Sequence, residues 1–266
     1  MSLDIPKSLW DIPPAHSILN SDEVHVWRAS LDTPQSHVRS LEQTLSADER
    51  RRAERFRFQK DSAHFIVTRG ILRAILARYL ARDPQSLQFH YNQYGKPSLV
   101  AEPGSDALSF NVTHSRAMAL YAITHNQNIG IDLEYINTEI EYEQIAERFF
   151  SPKEVSMFRA VPQHMQAKAF FNCWTRKEAY VKARGIGLSL DLNKFDVSVT
   201  PGEPAAILSI REENQNVANW SLHDLYPDLA YAAALAVERR ASKLICWQWS
   251  YQDLSLNLSR MPKRDR

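Results

Sequence analysis

Glycine is scarce in this chain, with seven residues in 266. Gly104 and Gly202 sit in Pro-Gly turns and Gly70 lies inside a helical pattern. The other four, Gly95, Gly130, Gly185 and Gly187, mark places where backbone must come close to something. Cysteine is scarcer still: Cys173 and Cys246 alone exclude a disulfide framework and a four-cysteine zinc site. Cys173 has no neighbour that would activate a thiol and reads as a small core residue. No run approaches the ~18 apolar residues of a membrane helix. The segment Met1–Trp10 carries Asp4 and Lys7 and has no apolar stretch long enough for a signal peptide. A cytoplasmic protein without membrane association is therefore expected. An excess of charge is also missing: 32 Lys and Arg against 31 Asp and Glu give a formal +1. Nothing pulls the whole chain toward nucleic acid, so any such preference must be local.

What is present reads as helices and strands in two rounds. Val24–Ala29 alternates as a strand, and Ser46-Ala47-Asp48-Glu49 has the form of a capping box. A basic segment follows, with Arg50, Arg51, Arg52, Arg55, Arg57 and Lys60. Such a run is ordinarily a solvated helix face; here Phe56 and Phe58 interrupt it, which allows a patch for an anionic ligand. Apolar residues from Phe65 to Leu80 repeat with helical spacing, with Arg69 and Arg73 on the other faces. Strands are expected at Leu87–Tyr91, Leu108–Val112, Ala117–Thr124 and Ile129–Glu134. Next come a helix over Glu141–Phe150 and an N-cap at Ser151-Pro152-Lys153-Glu154. A helix over Ala167–Lys182 precedes strands at 195–199, 206–210, 220–225, 231–237 and 244–249. The pattern predicts an α+β fold of two similar halves, residues 1–129 and 130–266, with a poorly ordered polar tail from Asn257.

Two clusters carry chemistry. On a strand, Asp132 and Glu134 point to the same face of an otherwise apolar segment, which is costly without a compensating cation. On the helix, Trp174, Glu178 and Lys182 are four apart and share a face. A surface ion pair beside a core tryptophan is the simpler account of that helix taken alone. Three carboxylates with no His-x-x-His or Cys-x-x-Cys nearby instead favour an all-oxygen site for Mg²⁺, with Mn²⁺ as an alternative. Mg²⁺ on few protein ligands completes its shell with water and phosphate. The residues thus point to Mg²⁺-assisted chemistry at a phosphate ester or anhydride, provided Glu178 lies within shared metal reach of Asp132. Lys182, Lys96, His114 and the Arg50–Lys60 segment supply cations for the phosphate. Thr113 and Ser115 make an oxygen-rich corner around His114.

Gly130-Ile131-Asp132-Leu133-Glu134 resembles the G-x-D-x-E motif of the 4'-phosphopantetheinyl transferases, and Trp174-Thr175-Arg176-Lys177-Glu178-Ala179-Tyr180-Val181-Lys182 resembles their W-x-x-K-E-A-x-x-K motif. Gly95-Lys96-Pro97 and Phe110-Asn111-Val112-Thr113-His114-Ser115 resemble two upstream motifs of the Sfp-type branch, in which serine is usual where Thr113 stands. The ordered set spans roughly Ser46 to Leu190. The resemblance implies a pseudo-dimer of two α/β halves with coenzyme A in the cleft between them. Mg²⁺ would be held by Asp132, Glu134 and Glu178. A serine of an acyl or peptidyl carrier protein would attack the β-phosphate and release adenosine 3',5'-bisphosphate. Lys182 and His114 match residues that contact phosphates. Arg50, Arg52, Arg69 and Lys96 are candidates for the 3'-phosphate and adenine side, with Pro97 and Thr113 beside them. Glu154 matches a general base, with metal-bound water as the other candidate. An internally duplicated fold implies a monomer. A Mg²⁺-dependent phosphodiesterase or nuclease is the main alternative, and a non-catalytic carrier- or nucleotide-binding module is a third.

Overall fold

A computed structural model describes residues 10–14, 18–100, 107–239 and 243–251. The expected Pro103-Gly104 turn and the polar tail fall outside the described residues. The first round runs β1 (Glu23–Ser30), α1 (Gln35–Glu42), α2 (Ala47–Ala53) and α3 (Gln59–Leu80), then β2 (Phe89–Tyr91), β3 (Pro97–Leu99), β4 (Leu108–Ser115) and β5 (Met118–His125). The second runs β6 (Ile129–Tyr135), α4 (Tyr142–Phe149), α5 (Pro152–Ala160) and α6 (Gln163–Arg184), then β7 (Phe195–Val197), β8 (Ile207–Ile210), β9 (Trp220–Leu225) and β10 (Tyr231–Glu238). β11 (Lys243–Gln248) closes the described chain. Helix α1 and strand β3 were not expected. Only Val38 and Leu41 of α1 are buried, so its apolar signal is too short to read.

The two rounds repeat one topology. Each has a strand, a 22-residue helix, a short hairpin and an antiparallel pair whose second strand bonds back to the first. The sheets run β11-β1-β5-β4 and β6-β10-β9. This is the α+β pseudo-dimer that the sequence predicts. β11 crosses back and lies parallel on β1, from Glu23↔Lys243 to Arg28↔Gln248.

Alternation of side chains along the strands produces four layers. Trp27, Tyr121 and Ile123 face α3, where Val67, Ile71 and Ile75 are fully buried. Val24, Val26, Leu120 and Ala122 face the other way and meet Ile131, Leu133, Leu235 and Val237 of the second sheet. The far face of that sheet carries Ala232, Ala234 and Ala236 under α6, packed with Ala179, Tyr180 and Ala183. Small residues let the helix lie close. A Cβ at Gly130 would collide with the backbone of Ala179 and Ala183, so this glycine is required where α6 rests on β6. No helix among the described residues is long and apolar enough to cross a membrane.

β4 and β6 belong to different sheets and are joined by side chains rather than by a ladder. Asn111, Thr113 and Ser115 alternate on one face of β4, and each reaches β6. Ile131 N donates to Asn111 Oδ1 at 2.9 Å, and Thr113 Oγ1 donates to Asp132 Oδ1 at 3.3 Å. Ser115 Oγ donates to Glu134 Oε2 at 3.2 Å and accepts from Tyr135 N at 3.0 Å. The seam between the halves therefore runs along the strand that carries the acidic pair.

Candidate active site

Helix α6 is covered along most of its length, and its half-buried positions Trp174, Glu178 and Lys182 recur every four residues. They form the stripe that the spacing predicts. Trp174 stacks on Phe170 and meets Phe149 edge-on, anchoring the base of the stripe. At its top the Lys182 ammonium donates to Asp132 Oδ1 at 2.5 Å and to Thr113 Oγ1 at 3.2 Å. Asp132 is almost fully buried, and its second oxygen, Oδ2, has no hydrogen-bond partner. Burial raises the proton affinity of the Glu134 and Glu178 carboxyls, and the charge of Asp132 raises both further. The three carboxylates thus feel one another, and Lys182 is the cation they share.

Among the described residues, no group of three or more His, Cys, Asp or Glu side chains is placed to hold a metal ion, so Asp132, Glu134 and Glu178 are not drawn together as a metal site here. The expected three-carboxylate set is present as an electrostatic cluster, with a lysine ammonium standing in it. The donor set still fits a hard divalent cation. It is all oxygen, it is mutually repulsive, and the buried Asp132 Oδ2 is left without a partner while Oδ1 is held by Lys182.

Across β4 the opposite face opens on a cavity of about 500 Å³. Arg52, Phe56, Phe65, Arg69, Pro97 and His114 line it, together with Asp61, His64, Thr68, Leu72, Val112 and Arg116. Five cationic or ionisable nitrogen groups and two phenyl rings make it suited to a phosphorylated aromatic ligand. Arg52 stacks over Phe65 at 5.2 Å, while Arg69 lies over Phe89 at 4.2 Å and is ion-paired with Glu49. Arg116 lies over Tyr135 at 5.0 Å and sits in the left-handed region at φ 53°. Asp61, His64, Thr68 and Arg116 were missed as site residues. The first three follow the spacing of one α3 face and interrupt its apolar pattern, which is the signal that could have found them.

Four expectations need correction. Glu154 is fully buried: Oε1 takes Lys177 Nζ at 2.7 Å and Val197 N at 2.8 Å, and Oε2 takes Ser151 N at 2.8 Å. Both oxygens are used inside the core, so it does not reach a carrier serine. The sequence marks Ser151 as an N-cap, and in the structure Glu154 completes a capping box with it. Lys96 is turned away from the cavity, and its ammonium donates to the carbonyls of Ile129, Lys182 and Ala183 at 2.7–3.2 Å. Those three bonds use all three of its donors. Thr113 is buried toward Asp132, because strand alternation puts it on the face opposite His114. Arg50 is exposed on α2 and is not among the cavity residues. His114, Arg52, Arg69 and Pro97 do converge on the cavity.

Family models cover both rounds. The 4'-phosphopantetheinyl transferase superfamily model matches residues 128–236, and the 4'-phosphopantetheinyl transferase N-terminal model matches residues 27–126. The chain is 42% identical over 228 residues to 4'-phosphopantetheinyl transferase HetI of Nostoc sp., covering 86% of this chain and 93% of that one. It is 32% identical over 153 residues to 4'-phosphopantetheinyl transferase Sfp of Bacillus subtilis, covering 58% of this chain and 66% of that one. A solved holo-[acyl-carrier-protein] synthase of Thermotoga maritima aligns at TM-score 0.33 and 20% identity, covering 42% of this chain and 63% of that one; so slight a likeness carries no argument. The chain belongs to the 4'-phosphopantetheinyl transferase family. Nothing in these likenesses supports the phosphodiesterase alternative.

Proposed function

We propose that this chain transfers the 4'-phosphopantetheine group of coenzyme A to a serine hydroxyl of an acyl or peptidyl carrier protein. Its family takes that group from coenzyme A and is generally metal dependent. The observation that carries the reading is the Lys182–Asp132 pair at the seam of the two halves, beside a cationic and aromatic cavity. In the transfer, the serine oxygen bonds to the β-phosphorus and the bond from that phosphorus to the bridging oxygen breaks. Adenosine 3',5'-bisphosphate leaves with the electron pair.

Arg52, Arg69, His114 and Arg116 would bind the nucleotide end of coenzyme A, with Phe56 and Phe65 offering faces to adenine. Lys182 would neutralise charge on the pyrophosphate as the leaving group departs. Asp132, Glu134 and Glu178 would hold Mg²⁺. When bound, that ion would neutralise phosphoryl charge and orient the in-line displacement. With Glu154 sealed in the core, the serine proton passes to a base in the cleft.

The domain division follows the repeat: residues 1–129 and 130–266 act as two halves of one cytoplasmic monomer, with β11 returned to the first sheet. Its partners are coenzyme A and the carrier, with no nucleic acid. The experiment mixes the chain with apo carrier protein, coenzyme A and Mg²⁺, and weighs the carrier by mass spectrometry. A gain of one phosphopantetheine group supports the reading. No gain on any of several acyl and peptidyl carriers overturns it.

A further inference from the structure

The last carbonyls of an α-helix lack intrahelical partners and form its negative end. In α6 two of these groups, Lys182 O and Ala183 O, together with the cap carbonyl Gly185 O, are satisfied from the other half of the molecule. The β2–β3 turn, residues 92–96, reaches across the seam. Asn92 Nδ2 donates to Gly185 O at 2.8 Å, and the Lys96 ammonium donates to Lys182 O at 2.7 Å and Ala183 O at 3.2 Å. The turn is itself fixed, since Asn92 Oδ1 accepts from Tyr94 N at 3.0 Å and Lys96 N at 2.9 Å, and Gly95 takes φ +83°. The helix closes on Gly185, in the left-handed conformation at φ +67°. The third Lys96 bond, 3.0 Å to Ile129 O, grips the first residue of β6.

One ammonium thus ties together the two elements that make the reacting pair. It holds α6 at the backbone of Lys182, whose side chain meets Asp132. It holds β6 three residues before Asp132. Resting on the reading of that pair as the transfer centre, we propose that Lys96 is a positioning residue. The 92–96 turn is a latch between the halves that sets where the Lys182 ammonium stands over Asp132. Lys96 then serves the reaction without touching coenzyme A.

The test uses the full chain as wild type, Lys96→Met, Lys96→Arg and Asn92→Ala. Transfer kinetics are measured against coenzyme A, its binding is measured by calorimetry, and hydrogen exchange is followed at residues 181–187. A misplaced reacting group costs rate rather than binding. Lys96→Met is expected to lose roughly 10- to 100-fold in kcat, with the Kd for coenzyme A held within about threefold. Exchange at 181–187 should speed up while α3 keeps its protection. Lys96→Arg, which retains a cation at the helix end, should recover part of kcat. If Lys96→Met does not fold, Asn92→Ala, altered at an exposed position, carries the same comparison. The proposal is overturned if coenzyme A binding weakens about tenfold or more with kcat retained, or if neither exchange nor kcat changes. Should the wild type transfer nothing, the functional reading fails on its own, and the exchange data still decide whether the turn latches the helix.

Discussion

The Lys182 ammonium lies 2.5 Å from Asp132 Oδ1, while the other oxygen of that carboxylate is buried and makes no hydrogen bond. One acceptor of this buried carboxylate is satisfied by lysine and the other is left unpaired, which is costly unless a second cation compensates it. The two partners come from α6 and β6, which touch so closely at Gly130 that no other residue fits between them. The relative height of helix and strand is thereby set to within a side chain's reach. That rigidity underlies the predictions below.

Asp132→Asn removes a negative charge from the cluster and leaves its size unchanged. The divalent cation concentration for half-maximal transfer should rise about 10-fold or more, and kcat/KM should fall by roughly 100-fold. Titrating Mg²⁺ into chelator-treated protein at fixed coenzyme A and carrier measures both. An unchanged metal requirement would remove Asp132 from the metal site.

Glu154→Gln should damage the fold rather than the chemistry. The change leaves the fully buried Lys177 charge unpaired, a loss of roughly 3–5 kcal/mol for a buried pair. Denaturant unfolding should register it. At temperatures where the variant is folded, kcat per folded molecule should stay within about twofold of wild type, since no reacting atom is involved. A large loss of kcat with full stability would restore Glu154 as a base.

Arg52→Ala should raise the KM for coenzyme A by about tenfold and leave the KM for the carrier unchanged, because the guanidinium lines the cavity rather than the seam. Among the described residues its ring contact is the stack on Phe65, and it takes part in no ion pair. A matching rise in the carrier KM would place the protein acceptor in the cavity instead.

Lys96 makes stability depend on alkaline pH. Burial pushes its pKa down to about 8 from the ordinary 10.5. Between these values the unfolded chain holds the proton and the folded chain releases it, so unfolding free energy gains with rising pH. The stabilising contribution is complete above pH 10.5 and is lost as pH falls through 8. Chemical unfolding of wild type and Lys96→Met from pH 7 to 10.5 should show a difference between them that shifts in favour of the wild type as pH rises. Parallel curves would mean that Lys96 titrates as an exposed lysine.

Much of this protein is legible along the chain. The 3.6-residue spacing of Trp174, Glu178 and Lys182 and the strand alternation of Asp132 and Glu134 define faces that the fold retains, because both periods are properties of the backbone. The same is true of the Ser151 N-cap and of most strand positions. The sequence also marked Gly95, Gly130, Gly185 and Gly187 as points of close approach; Gly130 is one, against the backbone of α6, whereas nothing lies within 4 Å of a Cβ at Gly95, whose glycine answers to its positive φ instead.

The roles of Glu154, Lys96 and Thr113 were decided only by tertiary structure. A capping-box glutamate and a catalytic one are spelled alike; burial against Lys177 and Val197 separates them. Lys96 at a turn tip reads as a free cation until the C-terminus of α6, some ninety positions on, arrives to use its three donors. Thr113 adjoins His114 in sequence but faces the opposite way, so one contributes to the acidic cluster and the other to the cavity. Local periodicity fixed which side chains share a face. What each face meets is a long-range matter, settled when the two halves close along β4 and β6.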